Sequence, residues 1–394
     1  MKSIAIVVPE LLPVPPVKGG AVEHWVDEAS VRLRERRSVT MVSRPAGSAG
    51  RPGIGYIGIP WTATELFFSR IKDKVTWRNP LRYLAKIQNV YSYGRRVARA
   101  VAPFDEVYLH NEPNILLFLK RRAGQKIVLH MHNDHLSMKL FRPFYRRALA
   151  KADVVLCVSD YIRRQAVLSF PEHAARFKVL FNSTDPAVFQ PYPQAAAQLE
   201  GLVRLDPQQR HLLYVGRLTA LKGVHVLIAA FEQVLRRHPQ ARLIITGSSF
   251  FGGAARTGYE RELEELAKPI GHAIVFTGYL PHDKLRYLYA AVDVIVLPSV
   301  WQDPCPLVVL EAMASGTLLV SAAVGGIPEV VEHRVNGLLV APGDAAALAD
   351  TLCGALDAPE ASAAMAVAAR AKIQRGYTWE RLVDELLTTL DGLT

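Results

Sequence analysis

The stretch Leu212-Leu213-Tyr214-Val215-Gly216-Arg217-Leu218-Thr219-Ala220-Leu221-Lys222-Gly223 decides how this chain is organised. An apolar run ends on glycine, a short loop carries two cations, and an amphipathic run opens at about Gly223: a buried strand turning into a helix. Working outward, the same alternation fills the chain. Strand-like runs fall at Ile4–Val8, Ser38–Val42, Glu106–Leu109, Ile127–Leu129, Val154–Val158 and Lys178–Phe181, then at Leu212–Val215, Ala241–Thr246, Ala273–Phe276, Val294–Leu297, Leu318–Ser321 and Gly337–Val340. Helical stripes such as Val22, Trp25, Val26, Ala29 and Leu33 separate them. Strands alternating with helices build parallel sheets covered on both faces, so the class is α/β.

At 394 residues the chain exceeds one ordinary core, and the pattern predicts two Rossmann-like domains. Their expected bounds are 1–190 and 211–376. A linker at 191–210 is read from three prolines and an alanine-rich patch, and a terminal helix at 377–394 carries Trp379, Leu382, Val383, Leu386 and Leu390 on one face. Half the residues are apolar, but the longest apolar runs are far short of the roughly 20 residues of a membrane-spanning helix. The first residues read as a buried strand rather than a signal peptide. Three cysteines without a Cys-x-x-Cys pair argue against a disulfide framework or structural zinc site, which points to the cytosol.

Charge is distributed unevenly. Residues 1–197 hold 30 Lys and Arg against 15 Asp and Glu, whereas residues 198–394 hold 17 against 21. The basic first half, dense at Arg70–Lys86, Arg95–Arg99, Lys120–Lys126 and Arg142–Lys151, suits an anionic membrane surface or a phosphorylated acceptor, or is simply a solvated basic face.

Four constellations carry chemistry. Arg217 offers a planar fork of donors and Lys222 a compact charge, a pairing suited to a diphosphate whose negative charge grows as a bond to it breaks. Asp303 precedes the helix expected at Pro306–Ala314, and Glu311 interrupts its apolar run. Burying Glu311 needs a hydrogen-bonding partner, for which a ribose diol is suited; an intrahelical role for Glu311 and a helix-capping role for Asp303 are the alternatives. Gly325-Gly326-Ile327-Pro328-Glu329 and Gly19-Gly20-Ala21-Val22-Glu23 each follow a strand and open a helix, where free amides can meet an anion. Finally, His130-Met131-His132-Asn133-Asp134-His135 ends a strand. Alternation of side chains along a strand speaks against a shared metal, and His132 is placed to hydrogen-bond a sugar hydroxyl, or is a structural histidine. Asp-x-Asp, Gly-x-Gly-x-x-Gly and the P-loop are all absent, which disfavours a metal-holding carboxylate pair, a dinucleotide oxidoreductase and an NTPase.

These motifs resemble those of family 4 glycosyltransferases of the GT-B fold, over nearly the whole chain and most strongly from Leu212 to Asp344. The resemblance implies two Rossmann-like domains with parallel sheets facing a central cleft, and a C-terminal helix crossing back to the N-terminal, acceptor-binding domain. It assigns the diphosphate to Arg217 and Lys222, the ribose to Glu311 and the donor sugar to Asp303, an aspartate where the family has glutamate. Gly19, Gly20 and Glu23 match an N-terminal glycine loop, and Gly325, Gly326 and Ile327 a pyrophosphate loop. Gly216, Gly247, Pro304, Cys305, Pro306 and Leu307 complete the implied donor site. Asn182-Ser183-Thr184-Asp185 with Phe189 and Pro191 is similar to the family's segment at the domain junction. His132 falls beside the transferred sugar, so Arg217, Lys222, His132 and Asp303 are the implied catalytic group. The implied reaction moves a hexosyl or N-acetylhexosaminyl group, with retention, from a nucleoside-diphosphate sugar (UDP before GDP) to a saccharide or lipid-linked hydroxyl, in cell-envelope polysaccharide or lipopolysaccharide synthesis. No metal or pyridoxal phosphate is implied, and nucleic acid is not an expected partner. The expected place is the cytoplasm or the inner membrane face. A phosphorylase-like enzyme, a non-hydrolysing sugar-nucleotide 2-epimerase and a catalytically silent binding subunit remain as alternatives.

Overall fold

The computed structural model describes residues 1–10, 14, 20–45, 50–67, 80–248 and 257–393, the side chains of 80–89 excepted. The chain divides into two compact units, Met1–Leu180 with Val383–Thr394, and Phe181–Leu382. In the first, β1 (Ser3–Val7), β2 (Ser38–Ser43), β3 (Gly55–Gly58), β4 (Glu106–His110), β5 (Lys126–Met131), β6 (Val154–Cys157) and β7 (Phe177–Val179) form one sheet in the order β3-β2-β1-β4-β5-β6-β7. In the second, β8 (Arg210–Val215), β9 (Ala241–Thr246), β10 (Ile274–Gly278), β11 (Val294–Leu297), β12 (Leu318–Ala322) and β13 (Leu338–Val340) run β10-β9-β8-β11-β12-β13. Neighbouring strands are parallel, as in Ile4↔Val39, His110↔His130 and Val294↔Leu212. Each sheet starts in the middle, winds to one edge, then returns to wind to the other. That is the doubly wound Rossmann order, with switch points at β1/β4 and β8/β11.

Helices cover both faces, which is why the strands read as continuous apolar runs. Ile4, Ala5, Ile6 and Val7 are fully buried, and Leu212, Tyr214, Val294 and Val320 share a core with Leu227, Phe231 and Val234 of helix Val224–Arg237. All twelve expected strands form. The thirteenth, β3, is a largely exposed edge strand with glycine at both ends, so it has no apolar signal to read.

The expected domain limits need correction. Residues 181–210 belong to the second unit and are not a free linker. The Thr184 amide donates to Tyr377 O at 2.9 Å, the Arg370 guanidinium donates to Phe189 O at 3.0 Å and Pro186 O at 3.2 Å, and Leu199 and Val203 are buried. Proline marked a segment without regular structure, not one without packing. The C-terminal return to the first unit begins at Val383, within helix Trp379–Asp391, rather than at 377. Lys126 Nζ donates to Leu390 O at 2.7 Å. Arg37 pairs with Asp391 at 2.7 Å and with Glu106 at 2.9 Å.

Candidate functional site

In the second unit the crossovers leave β8 and β11 in opposite directions, so the loops at their carboxyl ends part and open a crevice. Three glycines, in the loops after β8, β9 and β12, let neighbouring loops close in around it. A Cβ on Gly223 would stand 1.9 Å from Pro298 O, one on Gly247 1.9 Å from Gly216 O, and one on Gly325 1.9 Å from Asp303 O. All three have positive φ, at 71°, 137° and 55°. Gly223 opens helix Val224–Arg237, and Lys222 stands immediately before it. The Lys222 ammonium pairs with the Asp303 carboxylate, which also accepts from Ser299 Oγ at 3.5 Å. Asp303 is buried and Lys222 partly so, which places an ion pair at the rim of the crevice.

Glu311 lies one loop and a helical turn further on, in helix Leu307–Ala314. Tyr289 OH donates to Glu311 Oε2 at 2.9 Å, and His282 Nε2 lies 3.3 Å from Oε1. Both partners sit on helix His282–Ala290. Phe189 packs edge-on against His282 and Tyr289. The capping position before helix Leu307–Ala314 is Pro306, not Asp303, and both oxygens of Glu311 meet partners on another helix. Burial of Glu311 also does not require a ribose, because the protein itself supplies partners.

Other expectations are also corrected. The Gly325 amide donates to Gln302 Oε1 at 2.7 Å and the Gly326 amide to Asp303 O at 2.9 Å, so these amides are not free. The helix they open, Ile327–Val330, is one turn long. An anion could reach Gly325 by displacing the exposed Gln302 side chain, but not Gly326 without moving the Asp303 loop. Arg217 is exposed and makes no ion pair among the described residues, so the structure joins Lys222, not Arg217, to the carboxylate. Its carbonyl is fixed by Tyr214 OH at 2.8 Å. Pro304 and Cys305 are buried between the carboxylates, Pro306 and Leu307 half-buried. Cys305 O accepts from Asn182 Nδ2 at 2.7 Å, and burial pushes its thiol up to about 12, so it is no nucleophile. A separate cavity of about 720 Å³, lined by His333, Arg334 and Met365 among others, includes none of these residues.

In the first unit the switch point lies between β1 and β4, and β4 ends on His110. Register sets His110 beside His130, and His132 follows at the end of β5. His110 Nδ1 and His132 Nε2 are 2.9 Å apart, Tyr108 OH and His130 Nδ1 2.8 Å, and the Trp25 ring packs against all three imidazoles. Asn111, at φ 55°, pins the two strand ends: its amide donates to His130 O and its Oδ1 accepts from the His132 amide, both at 2.8 Å. Histidines 130 and 132, two apart, lie on the same side of the strand, which corrects the expectation from alternation. Ligand nitrogens of His110, His130 and His132 lie within 4.8 Å of one another, while His135 is exposed. Of the six ring nitrogens, His110 Nδ1, His132 Nε2 and His130 Nδ1 are engaged with one another or with Tyr108, whereas Nε2 of His110 and of His130 are buried without a hydrogen-bond partner among the described residues. Crowding by protein lowers all three pKa values, that of His132 to about 3, so the rings are neutral and act by hydrogen bonding.

Gly20, at φ 117°, precedes helix Ala21–Leu33, and Glu23 in its first turn is buried, its carboxyl pushed up to about 7 by desolvation. Gly19 lies outside the described residues. Sequence reasoning missed His110, Asn111, Tyr289, His282 and Gln302. The signal for the first two was positional, since they end the strand beside the switch point; the others had none.

The model described as glycosyl transferases group 1 matches residues 203–372, and that described as Glycosyltransferase Family 4 matches residues 22–188. YtcC of Bacillus subtilis, named as a glycosyltransferase, is 28% identical over 86% of this chain and 79% of its own. The lipopolysaccharide 1,2-N-acetylglucosaminetransferase of Salmonella typhimurium is 24% identical over 97% of this chain and 96% of its own. HepE of Anabaena, solved in complex with UDP-glucose, superposes with a TM-score of 0.75 at 21% identity, over 99% of this chain and 100% of that one. That superposition fixes the fold as GT-B, and with both family models matched in sequence along the chain, the protein belongs to the group 1, family 4 glycosyltransferases.

Proposed function

We propose that this glycosyltransferase moves a hexosyl or N-acetylhexosaminyl group from a UDP-sugar to a hydroxyl of a saccharide or lipid-linked acceptor, with retention of configuration and without a metal. The observation that carries this is the Lys222–Asp303 ion pair at the β8/β11 switch point, where a diphosphate can take the ammonium and a sugar hydroxyl the carboxylate. Glu311, held by Tyr289 and His282, presents a carboxylate to the ribose diol. The acceptor oxygen forms its bond to the anomeric carbon on the face from which the nucleotide leaves. As the carbon–phosphate oxygen bond breaks, that oxygen takes the acceptor proton, and Lys222, with Arg217 swung in from solvent, neutralises the charge. His132, neutral, orients a sugar hydroxyl rather than supplying a proton.

The UDP-glucose bound to HepE supports uracil as the base, and the lipopolysaccharide in the name of the Salmonella relative supports a cell-envelope saccharide as acceptor. Thermal unfolding with UDP-, GDP- and ADP-sugars tests the donor: UDP-sugars raise Tm through binding to the folded state. A shift with none of the three removes the reading. Nuclear magnetic resonance of the product's anomeric proton then reports retention or inversion.

A further inference from the structure

We propose that residues 138–147 of the first unit form a docking surface for an anionic lipid bilayer. β5 runs out at Met131, and after His132 the chain makes two short turns, His135–Ser137 and Lys139–Phe141, before helix Arg142–Leu149. That helix buries Tyr145, Ala148 and Leu149 against its own unit and turns the rest outward. What the second turn and this helix expose is not ordinary surface: Met138 and Leu140, before the helix, are 44% and 78% exposed, and Phe144, on it, 55%. Lys139, Arg142, Arg146 and Arg147 are exposed among them, and from residue 138 to 151 there is no acidic residue. Arg146 is partnered by Glu172 at 2.6 Å, and Arg142 lies over the Phe170 ring, whereas Lys139 and Arg147 form no ion pair among the described residues.

The chemistry of the patch selects its occupant. A polyphosphate or nucleic acid would be met by the cations and leave three large apolar side chains in water. A bilayer with anionic headgroups takes both, the cations at phosphate level and the apolar side chains just below. The patch starts six residues beyond His132, at the same strand end. Resting on the transferase reading, this places a membrane-borne acceptor next to the first unit's candidate site; the lipid contact itself does not depend on that reading.

Sedimentation of the full chain with vesicles tests it. Vesicles of phosphatidylglycerol and phosphatidylethanolamine should bind the protein at 0.1 M salt, and pure phosphatidylcholine should not. Arg142→Gln with Arg147→Gln should weaken binding about 30-fold, at roughly fivefold per cation near an anionic surface. Leu140→Asp with Phe144→Asp should weaken it at least ~10-fold while leaving Tm in place, since both side chains are already exposed, and Leu140→Trp should show a blue-shifted emission with anionic vesicles only. If the apolar substitutions leave vesicle binding unchanged, or Leu140→Trp stays water-exposed, the surface is a polyanion site and the proposal fails. It fails equally if sedimentation velocity shows the apolar substitutions abolishing self-association, because the patch then joins two copies. Failure of donor binding with intact vesicle binding would count against the transferase chemistry alone.

Discussion

Lys222 and Asp303 form an ion pair in which one partner is buried, so removing either charge acts on stability and on chemistry together. Lys222→Ala is expected to fold, with a lower Tm, and to lose roughly 10²–10³ in turnover. Lys222→Ala combined with Asp303→Asn should recover Tm, because no buried carboxylate is left alone, yet stay inactive. Steady-state release of nucleoside diphosphate alongside thermal unfolding separates the two effects; wild-type turnover in the single variant would take Lys222 out of the site. Gly223 shows a different kind of constraint at this scale. A methyl group there meets Pro298 O and the backbone has φ 71°, so Gly223→Ala should cost about 2–4 kcal/mol in urea unfolding. Lys222 and Asp303 could be picked out in the sequence as charges in loops that follow buried strands, and Glu311 as a charge interrupting an apolar helical run, which is costly unless it is used. That Lys222 pairs with Asp303, and Arg217 does not, could not, because a rotamer depends on neighbours eighty residues away.

Helix His282–Ala290 acts as a clamp on Glu311, and its contribution is testable. Tyr289→Phe removes the hydrogen bond to a buried carboxylate and should cost about 1–3 kcal/mol of stability and weaken donor binding, read by urea unfolding and by the donor-induced Tm shift. The strand ends of the first unit govern pH dependence instead. His110, His130 and His132 titrate below 6.5 when folded, so below that pH the unfolded chain binds more protons. Their stability is present above 6.5 and is lost as the pH falls. Glu23 has the opposite sign: its pKa rises from 4.5 to about 7 on folding, so it costs stability as the pH rises through that window. Glu23→Gln should therefore gain up to about 3 kcal/mol at pH 7.5, with the gain vanishing near pH 4.5, in denaturant titrations at the two pH values. An equal effect at both would show that the carboxyl titrates normally. The histidines at 130 and 132 stood out in the sequence, but His110 was just the end of another strand until β4 and β5 paired in register.

The first unit is completed by residues from the other end of the chain. Val383, Leu386, Leu387 and Leu390 are buried, and Arg37 ties Asp391 to Glu106. Ending the chain at Leu382 removes four apolar contacts worth roughly 1.5–3 kcal/mol each, comparable to the whole stability of a domain. The truncated protein should lose cooperative unfolding of the first unit, with proteolysis concentrated in residues 1–180 and the second unit persisting; an unchanged unfolding profile would refute that dependence. The alternation of strand and helix, the two halves, the amphipathic terminal helix and the charged residues at the end of β8 and beyond β11 were determined by the sequence itself, because burial on both faces of a parallel sheet and the cost of burying charge are local demands on residue type. Tertiary structure alone decided where residues 181–210 pack, that the amides of Gly325 and Gly326 are taken by Gln302 and Asp303, and which histidines meet. Each of these depends on strand order and register, and short, irregular segments carry no periodicity that encodes them.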